Sequence, residues 1–468
     1  MSTPVKVRTD VPRAAGGRLA LLRALRGDPL GTFSRLAREY GSIVSLRVPG
    51  LGLYLISDPA AIQDALTLTN RSYAKGLARR RDPAGEGYQP LARVLGHGLL
   101  TSSGELWRRQ RRLIQPLFHQ ARVAGYGEVF ARLAAQTGDR WRDGEVRDLH
   151  AEMTELTLGI VARTVFDVDL EDEFVAHVRR SLATNMRATR RQLVPWARVL
   201  DRLPLPSTRR FNADRAALDA RIHRMIAERR ATGAGGGAGG AGGAGGDDLL
   251  SLLLSARDEE TGRRMPDGQV RDEAVTMLLA GHETTANALA WAFHLLGGNP
   301  AAQQRLGAEL DDVLSGRLPS AADMPRLRYT AAVVHEAMRL YPPAWVLARH
   351  LVTDREICGY ALPAGSMVVS SPWVVHRDQR WWPRPDSFEP ERWLDATPER
   401  PRYAYFPFGG GPRQCIGNSF AEMEAILVLA TLGRHWQVAP VPDARIEPLA
   451  LVTLRPAYGV PMRLRCRA

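Results

Sequence analysis

Cysteine is scarce in this chain of 468 residues. Cys358, Cys415 and Cys466 are odd in number, widely spaced and free of any C-x-x-C pair, which argues against a disulfide framework, a zinc site or an iron–sulfur cluster. A reducing, cytoplasmic compartment is expected. Long apolar runs are missing as well. The N-terminal stretch interrupts its leucines and alanines with Arg18, Arg23 and Arg26, leaving neither a signal-peptide core nor a membrane span. There is no evident internal repeat, no Lys/Arg tail and no aromatic–basic module of a nucleic-acid binder. The formal net charge of +13 is therefore read as a solvated basic surface, with no nucleic-acid partner.

What is present is ordinary globular material, 45% apolar and 24% charged, enough for a large core. Length alone suggests roughly three domains, and GAGGGAGGAGGAGG, Gly233 to Gly246, offers a flexible cut point. Yet FNADRAALDARIHRMIAERR (211–230) on its left has helical periodicity, and DDLLSLLLSARDEE on its right begins with acids suited to a helix N-terminus. A loop between two helices of one domain explains the run equally well. Strand-like pieces occur near the start (SIVSLRVPGLGLYLIS, 42–57) and in the last third (EICGYALPAGSMVVSS, 356–371, and ALVTLRPAYGVPMRLR, 450–465). The rest is helical, giving a mainly α fold with a minor β region.

MPDGQVRDEAVTMLLAGHETTANALAWAFHLLGGNP (265–300) predicts a long helix, N-capped by Asp267 and stopped by Gly297, Gly298 and Pro300. Apolar on every face, it should be buried centrally. Within it, AGHETT sets Gly281 in a helix interior, at a cost of about 1 kcal/mol against Ala, and places polar groups in a buried setting. Either a bulky ligand approaches the backbone at Gly281 while Thr284 and Glu283 handle protons beside it, or this is a helix face whose polar groups are satisfied internally. A second stretch, FPFGGGPRQCIGNSF (406–420), puts Cys415 ahead of an amphipathic helix, where backbone amides and the helix dipole favour thiolate and Arg413 adds positive charge. Alone, such a cysteine is usually a small buried hydrophobe.

These residues resemble the cytochrome P450 haem-thiolate monooxygenases of the soluble bacterial type. Phe408, Gly411, Arg413, Cys415 and Gly417 match the signature F-x-x-G-x-R-x-C-x-G, and AGHETT resembles the oxygen-activating segment of that family's central helix. HEAMRLYPP resembles its E-x-x-R helix through Glu336 and Arg339, and FEPERW the segment that adds a third partner, Arg392. These three are assigned to folding around the cofactor. WRRQRR resembles the haem-propionate helix through Trp107 and Arg111, while Arg349 and Arg413 match other positions that meet propionates. His376 is a lone histidine and is taken as structural.

The resemblance implies haem b between the long central helix and the Cys-bearing loop. Cys415 would be the iron's axial ligand, Ala280 and Gly281 would lie against the cofactor, and Glu283 and Thr284 would deliver protons. It implies a single domain over 1–468, with an N-terminal extension at 1–30 and a flexible loop at 231–247 away from the haem. One atom of O2 would enter a C–H or double bond of a lipophilic small molecule. EAMRLYPP and TLRP resemble the fatty-acid and terpene hydroxylase branch, so a terpenoid, fatty acyl or polyketide-like substrate is expected. Contacts are expected from 85–100, 175–205, Ala280, Thr284, 342–348 and 451–454.

No flavin or iron–sulfur module follows the thiolate, so electrons are expected from a ferredoxin and ferredoxin reductase. Arg108, Arg109 and Arg112 would be the docking face, and a monomer is expected. Two other readings stand beside this one. A haem-thiolate isomerase or dehydratase would not use O2 and would leave Glu283-Thr284 without a purpose. A haem-based gas sensor or carrier would lack a signalling domain.

Overall fold

The helix Asp267–Gly297 runs for 31 residues, about 46 Å at 1.5 Å per residue. Its buried side chains, from Val270 and Ala274 to Trp291 and Leu296, point in every direction because helices Leu149–Phe166, Arg328–Leu340 and Asn418–Gly433 pack around it. The expected Asp267 cap is not made. Pro266 occupies the N-cap position without a side-chain bond, and the Asp267 carboxylate instead accepts from Arg230 Nε at 2.9 Å, a charge-assisted bond that outcompetes a local one. Asp248 does cap its helix, Leu249–Ser255, by accepting from Ser251 N at 3.0 Å.

The computed structural model describes residues 10–46, 52–75, 91–169, 205–231, 248–258, 260–394 and 400–467. The glycine-rich run and most of the 175–205 segment therefore lie outside the described residues. Part of the expected N-terminal extension packs onto the rest of the fold: Arg13 bridges to Ser45, and Ala14, Leu21 and Leu30 are buried with Phe33 and Trp345.

Strand segments form where apolar and β-branched residues were read as strands, at Ile43–Ser45, Leu53–Ile56, Met367–Ser370 and Pro461–Cys466. Leu53–Ile56 runs parallel to Met367–Ser370, which pairs antiparallel with Leu347–Leu351. The two-residue strand Tyr73–Ala74 closes this sheet with Ala74 opposite His350. That register brings residue 75 beside residue 349, a placement the sequence does not announce because neither flanking segment has a strand pattern.

A buried ionic cluster locks the helix Arg328–Leu340 to the chain that leads to the cysteine. Glu336 and Arg339 are fully buried. Glu336 accepts from Arg339 NH2 and Nε, both at 2.8 Å, from Arg392 Nε at 2.9 Å, from Trp393 Nε1 at 2.9 Å and from the Glu389 N–H at 3.0 Å. Arg339 also donates to the carbonyls of His376 (2.8 Å), Pro385 (2.6 Å) and Ser387 (3.0 Å). His376 Nε2 accepts from Phe406 N at 2.9 Å, which makes that histidine structural as expected. Removing one partner leaves a buried charge uncompensated, at a cost of about 3–5 kcal/mol. Glu336→Ala is accordingly expected to lower the unfolding free energy by that amount in a denaturant melt; a midpoint within error of the parent would refute a structural clamp.

Candidate active site

The cysteine loop begins as a tight turn. Gly409 and Gly411 have φ of +70° and +65°, and a Cβ on Gly411 would stand 2.1 Å from the Leu66 carbonyl oxygen, so that position admits only glycine. The turn is closed by Cys415 N–H donating to the Phe408 carbonyl at 3.0 Å. Phe408 packs against the core beneath.

Cys415 precedes its helix instead of opening it, since the chain turns through Gly417 as N-cap and the helix begins at Asn418. Its side chain lines a cavity and is exposed to that space. Burial pushes the thiol pKa up, while the Gly417 N–H and the Arg111 charge pull the other way. The nearby positive charge is thus Arg111, not Arg413 as the sequence suggested. Arg111 NH1 donates to the Gln414 carbonyl at 2.9 Å, whereas the Arg413 guanidinium lies over the Trp107 ring, 4.2 Å from its centroid.

Arg413 belongs to a second group. All three of its guanidinium nitrogens are buried without a hydrogen-bond partner among the described residues. Burial, then Arg349 and Arg111, lower its pKa to about 9, and burial brings Arg349 down to about 10. Lys75, which the sequence reading missed, is pushed down to about 7 by burial and the charges of Arg413 and Arg349. Apart from Lys6 it is the only lysine in the chain. Arg349 finds only neutral partners, donating to Thr69 Oγ1 at 3.0 Å and the Ala348 carbonyl at 2.9 Å. Three buried cations, with no acid among the influences on any of them, form a seat for an anionic group.

The cavity above Cys415 has about 820 Å³ of empty space, open solvent at its mouth included. Ala280, Gly281 and Thr284 of the central helix line it together with Cys415, Ile416 and Gly417. Thr284 Oγ1 donates to the Ala280 carbonyl at 2.7 Å. Gly281 serves packing as well, because a Cβ there would come within 3.2 Å of Val161 Cγ2. Glu283 does not line the cavity. Its Oε1 accepts from Thr453 Oγ1 at 2.7 Å, and Thr453 accepts in turn from Asn287 Nδ2 at 3.4 Å, whose Oδ1 meets His150 Nε2 at 3.0 Å. The sequence places Thr453 only within the turn 451–454 expected to meet substrate, and gives no sign of Asn287 or of the bond to Glu283, because the partners lie far along the chain.

Of the expected substrate contacts, Leu99, Ala280 and Thr284 line the cavity, and the turns at 342–348 and 451–454 do not. Those turns are tied to one another, Trp345 Nε1 donating to the Leu451 carbonyl at 2.9 Å. Leu117, Val161 and Val165 supply apolar wall instead. The expected basic docking face is largely neutralised: Arg108 pairs with Glu105 (3.1 Å), Arg109 with Asp258 (3.6 Å), and Arg112 with Glu260 (2.8 Å) and Asp258 (3.1 Å).

Residues 17–458 match the family model of cytochrome P450. The chain is 41% identical to cyclooctatin synthase of Streptomyces melanosporofaciens, over 89% of this chain and 87% of that protein. It is 35% identical to cyclooctat-9-en-7-ol 5-monooxygenase of the same organism (87% and 84%), and 35% identical to pentalenene oxygenase of Streptomyces avermitilis (94% and 93%). The crystal structure of the cytochrome P450DA heme domain superposes with a TM-score of 0.84 at 27% identity, over 99% of each chain. The chain belongs to the cytochrome P450 family of haem-dependent monooxygenases.

Proposed function

We propose that this protein hydroxylates or epoxidises a cyclic terpenoid, with Cys415 Sγ as the ligand of the haem iron. The observation that carries the site assignment is the joint placement of one thiol, an apolar cavity shared with Ala280, Gly281 and Thr284, and a neighbouring cluster of cations with no acidic partner among the described residues. The residues fit haem b: its carboxylates are the anions that Lys75, Arg349 and Arg413 lack, with Arg111 and Trp107 beside them. When bound, haem supplies the reductive activation of O2. Arg111 and the Gly417 amide favour the Cys415 thiolate, opposing the larger effect of burial that raises the thiol pKa. The Thr284 hydroxyl holds a proton at the cavity wall, and Glu283, fixed by Thr453, replenishes it from outside the lining. Leu99, Leu117, Val161 and Val165 exclude water and hold an apolar skeleton.

The names of the relatives support a terpenoid over a fatty acyl or polyketide-like substrate. Members of this family need O2 and redox partners, and for this chain we propose a ferredoxin with its reductase. A cytoplasmic monomer is proposed, formed by a single domain over 1–468 with its loop at 231–247. Three free cysteines accord with a reducing compartment, and among the described residues no helix is long and apolar enough to cross a membrane.

The reduced, carbon-monoxide-bound protein is expected to show the strongly red-shifted Soret band of a thiolate-ligated haem, and Cys415→Ser to abolish it. A histidine-type spectrum would sink the ligand assignment. Thr284→Ala is expected to keep consuming O2 and electrons while the product formed per electron drops several-fold; undiminished coupling would remove Thr284 from proton delivery. For the cation seat, Arg413→Leu removes an orphaned buried guanidinium, a group that costs about 1–3 kcal/mol to leave unpaired. Haem retained per chain should fall several-fold, while the cofactor-free chain melts no lower than its parent. Full haem occupancy in Arg413→Leu and in Lys75→Met would overturn the seat.

A further inference from the structure

We infer that the substrate enters this site already carrying a hydroxyl group, and that Glu273 is the residue that recognises it. The inference rests on the terpenoid reading above and narrows it. Glu273, Thr276, Met277, Ala280 and Thr284 recur at helical spacing along one face of the central helix, and all of them line the cavity. Among the described residues Glu273 is the only acid or base there besides Cys415 and the Tyr126 phenol, in a wall otherwise made mainly of apolar side chains.

Its two oxygens are used unequally. Oε2 accepts from the Leu99 N–H at 2.8 Å. Oε1 is buried and has no hydrogen-bond partner among the described residues, and the same holds for Thr276 Oγ1 one turn further on. A buried polar atom left unpaired is costly, so a partner from within the cavity is worth more here than at a wetted surface. Burial pushes the Glu273 carboxyl up to about 8, with the Leu99 N–H opposing and Asp272 adding to it. At neutral pH the group carries its proton. A neutral carboxylic acid offers one donor and spare acceptor capacity, which matches an alcohol. An ammonium would call for a carboxylate and an anion for a cation.

The acid is also held in place. The neighbouring Asp272 Oδ2 accepts from the His97 N–H at 2.7 Å, and Gly96, at φ +62°, leaves no room for a Cβ against the Asp272 carboxylate. The 96–99 segment is thereby pinned to the helix at Gly96, at His97 and at Leu99 itself. A hydroxyl bound at Glu273 would fix the orientation of an otherwise featureless hydrocarbon frame, and so the carbon presented for oxidation.

The test is a set of spin-state titrations on the haem-loaded full chain, using polycyclic C15 and C20 terpene hydrocarbons, each paired with its mono-alcohol. The parent protein should bind alcohols roughly tenfold more tightly than their hydrocarbons, the scale of one hydrogen bond to an otherwise orphaned group. Glu273→Leu should erase that preference while still binding the hydrocarbons, and Glu273→Gln, which keeps an acceptor for Leu99 and a donor for the ligand, should retain most of it. A residue that only latched the loop would alter both members of each pair alike. Equal affinities in the parent, or a preference that survives in Glu273→Leu, would overturn the role of Glu273 and leave the terpenoid reading standing. If no pair shifts the spin state of a protein whose carbon-monoxide spectrum is intact, the terpenoid reading falls and this inference with it.

Discussion

The carboxylate of Glu336 is the constraint on which the active site rests. A buried carboxylate is tolerable only when its lone pairs are engaged, and Glu336 meets that condition by drawing on its own helix, on Arg392, on Trp393 and on the backbone of Glu389. Its partner Arg339 gathers carbonyls from a stretch that would otherwise be irregular coil. From there the connection to the cysteine loop is short. His376 receives the Phe406 N–H, the Tyr405 hydroxyl donates to the His335 carbonyl at 3.1 Å, and two residues beyond Phe406 the Phe408 carbonyl receives the Cys415 N–H. The sulfur's position is inherited from an ion pair that never meets the substrate.

The contrast with Lys75, Arg349 and Arg413 is instructive. Both groups are buried and both are charged, but the Glu336 cluster is closed on itself and the cationic one is open. Closed ionic networks specify geometry; open ones carry an electrostatic debt that only a ligand of opposite sign can settle. The protein thus separates the charges that build its scaffold from those proposed to receive its cofactor.

Much of this was legible in the sequence because it is local. The central helix, the E-x-x-R pair and the turn before Cys415 are each contained within a few tens of residues, where periodicity and glycine placement speak directly. What escaped reading is what strand register and long-range packing create. Lys75 joins the seat because Ala74 pairs with His350, and Thr453 reaches Glu283 from the far end of the chain. Glu273 was passed over because it sits inside an apolar helix, where only the unequal use of its two oxygens sets it apart. Some expectations counted charge without partners: Asp267 is claimed by Arg230 and not by its own helix end, and in the expected basic docking face Arg109 and Arg112 have Asp258 and Glu260 against them.

The near absence of lysine gives Lys75 a further significance. Burial and the charges of Arg413 and Arg349 lower the pKa of the Lys75 ammonium to about 7, and a carboxylate placed against it would raise that value again. With Lys6 the only other lysine, the cofactor seat holds one of two side-chain amines in the whole chain. The protonation of Lys75 would thus be tied to whether an anion occupies the seat proposed for the cofactor.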